Sequence, residues 1–235
     1  MLFGFFMFDW TILLVIPGLI ISLWAQIKVS STFNKYSQIT TARGLSGYGA
    51  ARRILDENGL SHVRIEQIRG SLTDHYDPRA NVIRLSESVY HSTSPAAIGV
   101  AAHEAGHAIQ YAKNYSPIRL RAKLVSATNI GSALSMPLFL IGLIFAFYPL
   151  TILGIVLYSL VAFFQLVTLP VEFNASARAV RVIDENGLLR SEEEISGAKK
   201  VLAAAAMTYV AALMVTLANL LRFALLFLGR GRRNR

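Results

Sequence analysis

The chain has 235 residues, of which 54% are hydrophobic and 16% are charged, and its formal net charge is +9. A soluble domain devotes about a quarter of its residues to charge, so this composition indicates a membrane protein and excludes a disordered chain. The absence of cysteine excludes disulfide scaffolds, thiolate metal sites and cysteine nucleophiles. Any bound metal must therefore be held by His, Asp or Glu.

The first apolar segment covers residues 2–25 and is predicted to form a transmembrane helix. A helix needs roughly 20 apolar residues to cross a bilayer, and this segment has that length although Asp9 interrupts it. It lacks the basic start and the small-residue cleavage site of a signal peptide, so we expect it to remain as an anchor. Pro17 and Gly18 are expected to kink it.

Three further segments complete the predicted membrane part. Residues 130–169 contain no charged residue and predict a transmembrane hairpin with its turn at Tyr148-Pro149; two uncharged runs of this length argue against a buried helical pair of a soluble protein. Residues 201–228 predict a fourth helix, in which Arg222 can extend its charge to the interface. A basic tail follows at 229–235.

Two polar regions, 26–129 and 170–200, remain as candidates for chemistry. With four spans, both regions lie on one side of the membrane and both termini on the other. Basic residues near the span ends favour a cytoplasmic location for the polar regions, whereas the basic tail favours the opposite topology. The first group is larger, so we expect a multi-pass cell-membrane protein with a cytoplasmic active site. The positive residues have no aromatic interleaving, and no nucleic-acid binding is expected.

Local signals predict the elements of the first polar region. Gly59 is placed as the left-handed cap of one helix, and Ser94 with Pro95 supplies the N-cap and first-turn proline of another. The predicted elements are a helix over 47–55, strands over 63–68 and 81–85 joined by a loop or hairpin, and a helix over 95–112.

The helix over 95–112 contains the sequence His103-Glu104-Ala-Gly-His107. Residues four apart lie on one helical face, so both imidazoles can bind one zinc ion. Glu104 lies about 100° around the helix, where it can reach a water on the metal without binding the metal itself. This division suits hydrolysis, because zinc lowers the pKa of its water toward about 7 and the glutamate acts as general base.

A zinc hydrolase needs a third protein ligand, and Glu172 is the candidate. It is the only acidic residue in the stretch 169–179 that follows the third apolar segment. A carboxylate near the end of a membrane span is costly unless it has a partner, and a metal provides one. The alternative is an interfacial glutamate paired with Arg178 or Arg181.

The other three histidines are weaker candidates. His62 and His91 are expected at the surface, and His75 lies in a predicted turn. His75 is a candidate donor to the substrate or to an oxyanion, although a structural role is the simpler interpretation for all three.

The zinc motif, the hydrophobic hairpin and the segment Glu172-Phe-Asn-Ala-Ser together resemble the bacterial membrane metallopeptidases of the YugP-like "neutral zinc metallopeptidase" group. The resemblance covers nearly the whole chain, including the segments 74–78, 85–90 and 96–103. It implies that His103, His107 and Glu172 are zinc ligands and that Glu104 is the base. It also implies that a strand near 81–85 lies beside the active-site helix, where an exposed edge could pair with an extended peptide.

The chain is more distantly similar to the HtpX and CAAX-prenyl peptidases, which are gluzincins. In those families a Glu-x-x-x-Asp segment supplies the third ligand and a carboxylate that supports a ligand histidine. Here Ser176 occupies the place of that Asp, and Asn174 stands where the closer group is expected to have Asp. A hydroxyl or an amide supports an imidazole more weakly than a carboxylate does.

The sequence thus predicts a mainly α, multi-pass membrane protein with a zincin-like, gluzincin-type metallopeptidase domain that carries a small β-sheet. That domain is expected in two parts, 26–129 and 170–200. The expected function is zinc-dependent endopeptidase cleavage of membrane or misfolded polypeptides, with one Zn²⁺ ion. The alternative is a catalytically silent membrane scaffold or substrate-binding pseudo-peptidase, which the departures at Asn174 and Ser176 motivate.

Overall fold

The computed structural model of the protein describes residues 10–233, with side chains described as far as Gly229. The predicted segment 2–25 and the basic tail are therefore described only in part. The elements are a 3-10 helix at Trp10–Leu14, α1 (Ile16–Ser37), α2 (Gly47–Glu57), β1 (Arg64–Ile68), β2 (His75–Asp77), β3 (Val82–Ser86), α3 (Glu87–Tyr90), α4 (Pro95–Ala112), α5 (Ser116–Ile144), α6 (Tyr148–Glu185) and α7 (Glu192–Arg233). The chain is mainly helical, with one small sheet in the described residues.

The chain divides into two compact units, which are described separately. The first comprises residues 1–25, 120–169 and 208–235, and the second comprises 26–119 and 170–207. All the strands and the zinc motif belong to the second unit.

Four helical segments of the described chain are long and apolar enough to cross a membrane. They are Trp10–Ser37, Ser116–Ile144, Tyr148–Glu185 and Glu192–Gly229. The helices continue beyond the apolar runs that predicted them, because a helix satisfies its own backbone hydrogen bonds in water as well as in lipid. Pro17 lies in the first turn of α1, where proline displaces no hydrogen bond, and the preceding 3-10 helix ends at Leu14.

In the first unit, close packing of α5 against α6 depends on a small residue. A Cβ atom on Gly154 would lie 2.6 Å from the backbone nitrogen of Phe139 and 2.7 Å from the carbonyl oxygen of Ser135. The Phe139 ring stacks on that of Phe223, with 4.3 Å between their centroids, and joins α7 to the same cluster. Aromatic stacking and close backbone approach are the interactions that hold helices together where no water is present.

In the second unit, the three strands have the order β1-β3-β2. β1 is parallel to β3, and β2 is antiparallel to β3. The hairpin therefore joins β2 to β3 rather than the two strands predicted from the sequence. Asp77 accepts hydrogen bonds from the backbone amides of Arg79 and Ala80 in the turn, and Asn81 adopts a positive φ of 53°.

The sequence Asp-Glu-Asn-Gly-Leu occurs twice and ends a helix in the same way both times. Gly59 and Gly187 have φ values of 72° and 54°, a region that favours glycine. The following residue, Leu60 or Leu188, donates its backbone N–H to a carbonyl five residues earlier. Both leucines are buried, which matches the apolar contact that accompanies this type of helix end.

Candidate metal centre

α4 carries the zinc motif through the core of the second unit. Its N-cap residue Ser94 accepts a hydrogen bond from the Ala97 amide at 3.2 Å, as the sequence predicted. His103 and His107 lie one turn apart with their ring centroids separated by 4.7 Å and their planes at 85°. The two rings thus converge on one side of the helix.

Glu172 lies on α6, and a glycine allows that helix to approach α4. A Cβ atom on Gly106 would lie only 2.9 Å from the carbonyl oxygen of Ala175, so the two backbones are in close contact there. Glu172 is three residues before Ala175, and its side chain is only 2% exposed. The close contact therefore places a buried carboxylate beside the motif.

The three side chains form a compact group of possible ligands. Glu172 Oε2 lies 3.2 Å from His103 Nε2 and 3.6 Å from His107 Nε2. Ligand atoms about 2.0–2.2 Å from zinc at tetrahedral angles lie about 3.3–3.6 Å apart, so these separations fit a zinc ion. The donor set, two imidazoles and one carboxylate, also suits zinc and leaves a fourth position. Arg178, the alternative partner of Glu172, donates through Nε to Asn174 Oδ1.

Each histidine has a second partner at Nδ1. Ser176 Oγ lies 3.1 Å from His103 Nδ1, and Gln110 Oε1 lies 2.9 Å from His107 Nδ1. Ser176 is identifiable from the sequence as a neighbour of the site, whereas Gln110 is not predicted. The available signal was its place three residues after His107, on the same side of a helix that is otherwise apolar there.

His107 has a raised pKa. Burial lowers the pKa, but the carboxylate of Glu172 beside Nε2 and the negative charge of Glu104 raise it by more. Protons would compete with a metal ion for the Nε2 atom, so acidification is expected to weaken metal binding at this candidate site.

Glu104 lies on α4 beside the histidines and is 7% exposed. Burial raises the pKa of Asp74 against the hydrogen bonds from Ser86, and the negative charge of Glu104 adds to the rise. Asp74 Oδ1 accepts from the Ser86 backbone amide at 2.7 Å, which connects the start of β2 to the end of β3.

The remaining histidines do not join this group. His62, His75 and His91 are exposed. His75 Nδ1 lies 2.9 Å from the carbonyl oxygen of Thr73, and His91 Nε2 lies 3.2 Å from Gln67 Oε1.

Two histidines and a glutamate that converge at ligand distances define a candidate zinc-peptidase centre. The profile of the family described as "putative neutral zinc metallopeptidase" matches residues 11–228, and the chain belongs to this family. It is 51% identical over 217 residues to the "Putative membrane protease YugP" of Bacillus subtilis (strain 168), a match that covers 92% of this chain and 96% of that protein. The resemblance to the YugP-like group is thereby confirmed. No solved structure matches the chain.

Proposed function

We propose that the protein is an integral, multi-pass membrane zinc endopeptidase with a zincin-like catalytic unit and one Zn²⁺ ion. The observation that carries the proposal is the buried Glu172 carboxylate, which lies 3.2 and 3.6 Å from the Nε2 atoms of the two motif histidines. Buried charges in proteins are paired or bind metals, and this one faces atoms that zinc prefers. The family description and the name of the relative agree with this chemistry.

The reaction divides its tasks among the four residues. His103, His107 and Glu172 hold the zinc, which when bound supplies a Lewis acid for the hydrolysis of a peptide bond. Glu104 takes a proton from the attacking water as the new C–O bond forms. The same carboxylic acid then gives that proton to the leaving amine as the C–N bond breaks.

The substrate is proposed to be an extended stretch of a membrane or misfolded polypeptide. The central strand β3 is paired on both sides, so the edge strands are β1 and β2, and β3 does not offer the edge expected from the sequence. β2 lies near α4, where the Tyr76 and Tyr111 rings have centroids 5.7 Å apart. Main-chain pairing with an edge strand recognises any extended peptide, which suits broad specificity.

The catalytic unit is proposed to face the cytoplasm. Because the natural chain has no cysteine, a single engineered cysteine can report on topology. A Ser61→Cys variant, at an exposed position of the second unit, should resist a membrane-impermeant maleimide in intact cells and react after permeabilisation. Reaction in intact cells would place the unit outside.

A catalytically silent scaffold is the competing function, because Ser176 replaces a carboxylate of the distant relatives. Ser176 nevertheless lies within hydrogen-bonding distance of His103, so that ligand retains a partner. A silent scaffold would bind zinc without cleaving any unfolded or membrane polypeptide.

Two measurements on the purified full-length protein test the proposal. Metal analysis should find one zinc per chain, and a protein without stoichiometric zinc would reject it. Glu104→Gln should keep the zinc and lose cleavage of an unfolded polypeptide, because an amide cannot accept the proton. The exposed Glu185→Gln serves as control and should cleave normally. Equal activity of Glu104→Gln and wild type would rule out the base.

A further inference from the structure

A chain of hydrogen bonds connects Arg178 to the far side of the His107 ring. Arg178 Nε lies 2.7 Å from Asn174 Oδ1, and Asn174 Oδ1 lies 3.0 Å from Gln110 Nε2. Gln110 Oε1 lies 2.9 Å from His107 Nδ1. The chain runs from α6 to α4, and the Gln110 side chain in its middle is fully buried.

The direction of this chain is set by the arginine. A guanidinium can only donate, so the Asn174 atom that faces it must be the carbonyl oxygen. That oxygen can only accept, so the Gln110 atom that faces it must be the NH2 group. The Gln110 amide is fixed a second time, since the same NH2 group lies 2.8 Å from the carbonyl oxygen of Val171.

The orientation of the Gln110 amide determines the tautomer of His107. With its NH2 group held by two acceptors, Gln110 turns its oxygen to His107, and an oxygen of this kind accepts only. His107 Nδ1 must therefore carry a proton, and in the neutral ring Nε2 is then left with a free lone pair. Nε2 is the atom that lies 3.6 Å from Glu172 Oε2.

No comparable chain of hydrogen bonds fixes the tautomer of His103. Ser176 Oγ, the partner of His103 Nδ1, is a hydroxyl that can donate or accept. Ser176 therefore supports either tautomer of His103, whereas the Arg178 chain supports one tautomer of His107.

We propose that Arg178, Asn174 and Gln110 are positioning residues that hold His107 in the tautomer with an unprotonated Nε2 directed at the metal. The proposal rests on the proposed function in taking Nε2 as the ligand atom. It also explains how a ligand histidine is oriented where no carboxylate stands behind it. Gln110 performs that task through an amide whose own orientation is fixed by an arginine on another helix.

Two variants at Asn174 separate the effect of the hydrogen-bond direction from the effect of side-chain packing. Asn174→Asp keeps an acceptor for both Arg178 and Gln110, so the direction of the chain is preserved. Asn174→Leu has similar volume and removes the acceptor. Gln110→Met keeps the length of the side chain and removes both ends of the amide, and Arg178→Lys keeps a group that can only donate.

The first readout is zinc affinity, measured by competition with a chelator on the full-length protein. Asn174→Asp and Arg178→Lys should bind zinc as the wild type does. Gln110→Met should bind it about 10–100-fold more weakly, as is typical when a partner of a ligand histidine is lost. Asn174→Leu leaves the Gln110 amide held by the Val171 carbonyl alone, so it should bind zinc more weakly than Asn174→Asp but more tightly than Gln110→Met. Equal affinity of Asn174→Asp and Asn174→Leu would overturn the proposal.

The second readout is the tautomer itself, in the metal-free protein. The chain has only five histidines, so selective ¹⁵N-histidine labelling gives few signals to assign by nuclear magnetic resonance. In the neutral ring, His107 should show a protonated Nδ1 in the wild type and in Asn174→Asp, and should lose this preference in Gln110→Met. A protonated Nε2 in the wild type would overturn the proposal.

These readouts also distinguish failure of the proposed function from failure of the proposed hydrogen-bond chain. A wild type that binds no zinc defeats the proposed function, while the tautomer measurement still decides the hydrogen-bond chain. If the wild type binds zinc and cleaves polypeptide but Gln110→Met has unchanged zinc affinity, the positioning role of the hydrogen-bond chain is rejected and the proposed function stands. If Gln110→Met does not fold, as judged by thermal unfolding without metal, the Asn174 pair at a half-buried position decides.

Discussion

The carbonyl oxygen of Ala175 lies 2.9 Å from the position that a Cβ atom on Gly106 would occupy. Real Cβ atoms essentially never come so close to another atom, and the neighbour here is backbone rather than a flexible side chain. Gly106 thus does more than fill a variable position of the motif. It allows α6 to approach, and α6 carries Glu172.

Gly106→Ala is expected to weaken zinc binding without unfolding the protein. Alanine in a helix interior stabilises a helix by about 0.5–1 kcal/mol relative to glycine, so a change in helix stability would not explain weaker zinc binding. The added methyl group must instead push α6 away and withdraw Glu172. Zinc competition measures the effect, and Gly229→Ala, with open space around its Cβ, is the control. Wild-type zinc affinity in Gly106→Ala would show that the contact does not position the ligand.

Glu172→Gln is expected to reduce zinc affinity by more than the roughly 10–100-fold that follows loss of a partner of a ligand. The substitution keeps the shape of the side chain and removes the charge that faces both histidines. Metal content after dialysis and the dissociation constant are the measurements, with Glu185→Gln as a matched control. Full zinc content in Glu172→Gln would direct the search to another carboxylate.

Ser176→Asp is expected to strengthen zinc binding, and Ser176→Ala to weaken it modestly. Ser176 Oγ lies 3.1 Å from His103 Nδ1, and a carboxylate there would make the imidazole a more basic ligand than a hydroxyl does. The zinc affinities of the three proteins should follow the order Asp, Ser, Ala. The reverse order would mean that Ser176 does not act through His103.

Asp77→Asn is expected to destabilise the metal-free protein above pH 4 and to have little effect near pH 2. Arg84 and the backbone amides of Ala80 and Arg79 lower the pKa of Asp77 from 3.8 to about 2. A lowered pKa contributes stability above the unfolded value, and this contribution is lost as pH falls through the folded value. Thermal unfolding across this pH range measures the difference in stability between variant and wild type.

The partner variant Arg84→Met should show a similar pH-dependent loss of stability, because it removes the main cause of the lowered pKa of Asp77. A gap for Asp77→Asn that is constant from pH 6 to pH 2 would contradict the ion-pair explanation.

The sequence by itself determined the features that depend on neighbours in the chain. The four long apolar runs predict helices of membrane-spanning length, because burial in lipid depends on local composition. The motif places His103 and His107 on one face, because helical geometry relates residues four apart. Gly59 and Ser94 end and begin helices through hydrogen bonds that span only a few residues.

The tertiary structure decided what depends on distant segments. Glu172, 69 residues after His103, reaches the histidines only because Gly106 and Ala175 allow two helices to touch. The sequence left a loop or a hairpin open between the two predicted strands, and the parallel pairing of β1 with β3 depends on packing in the whole unit. The orientation of the Gln110 amide also depends on this packing. An apolar helix does not reveal how a buried amide is oriented, because its two acceptors lie on α6, more than 60 residues away in the chain.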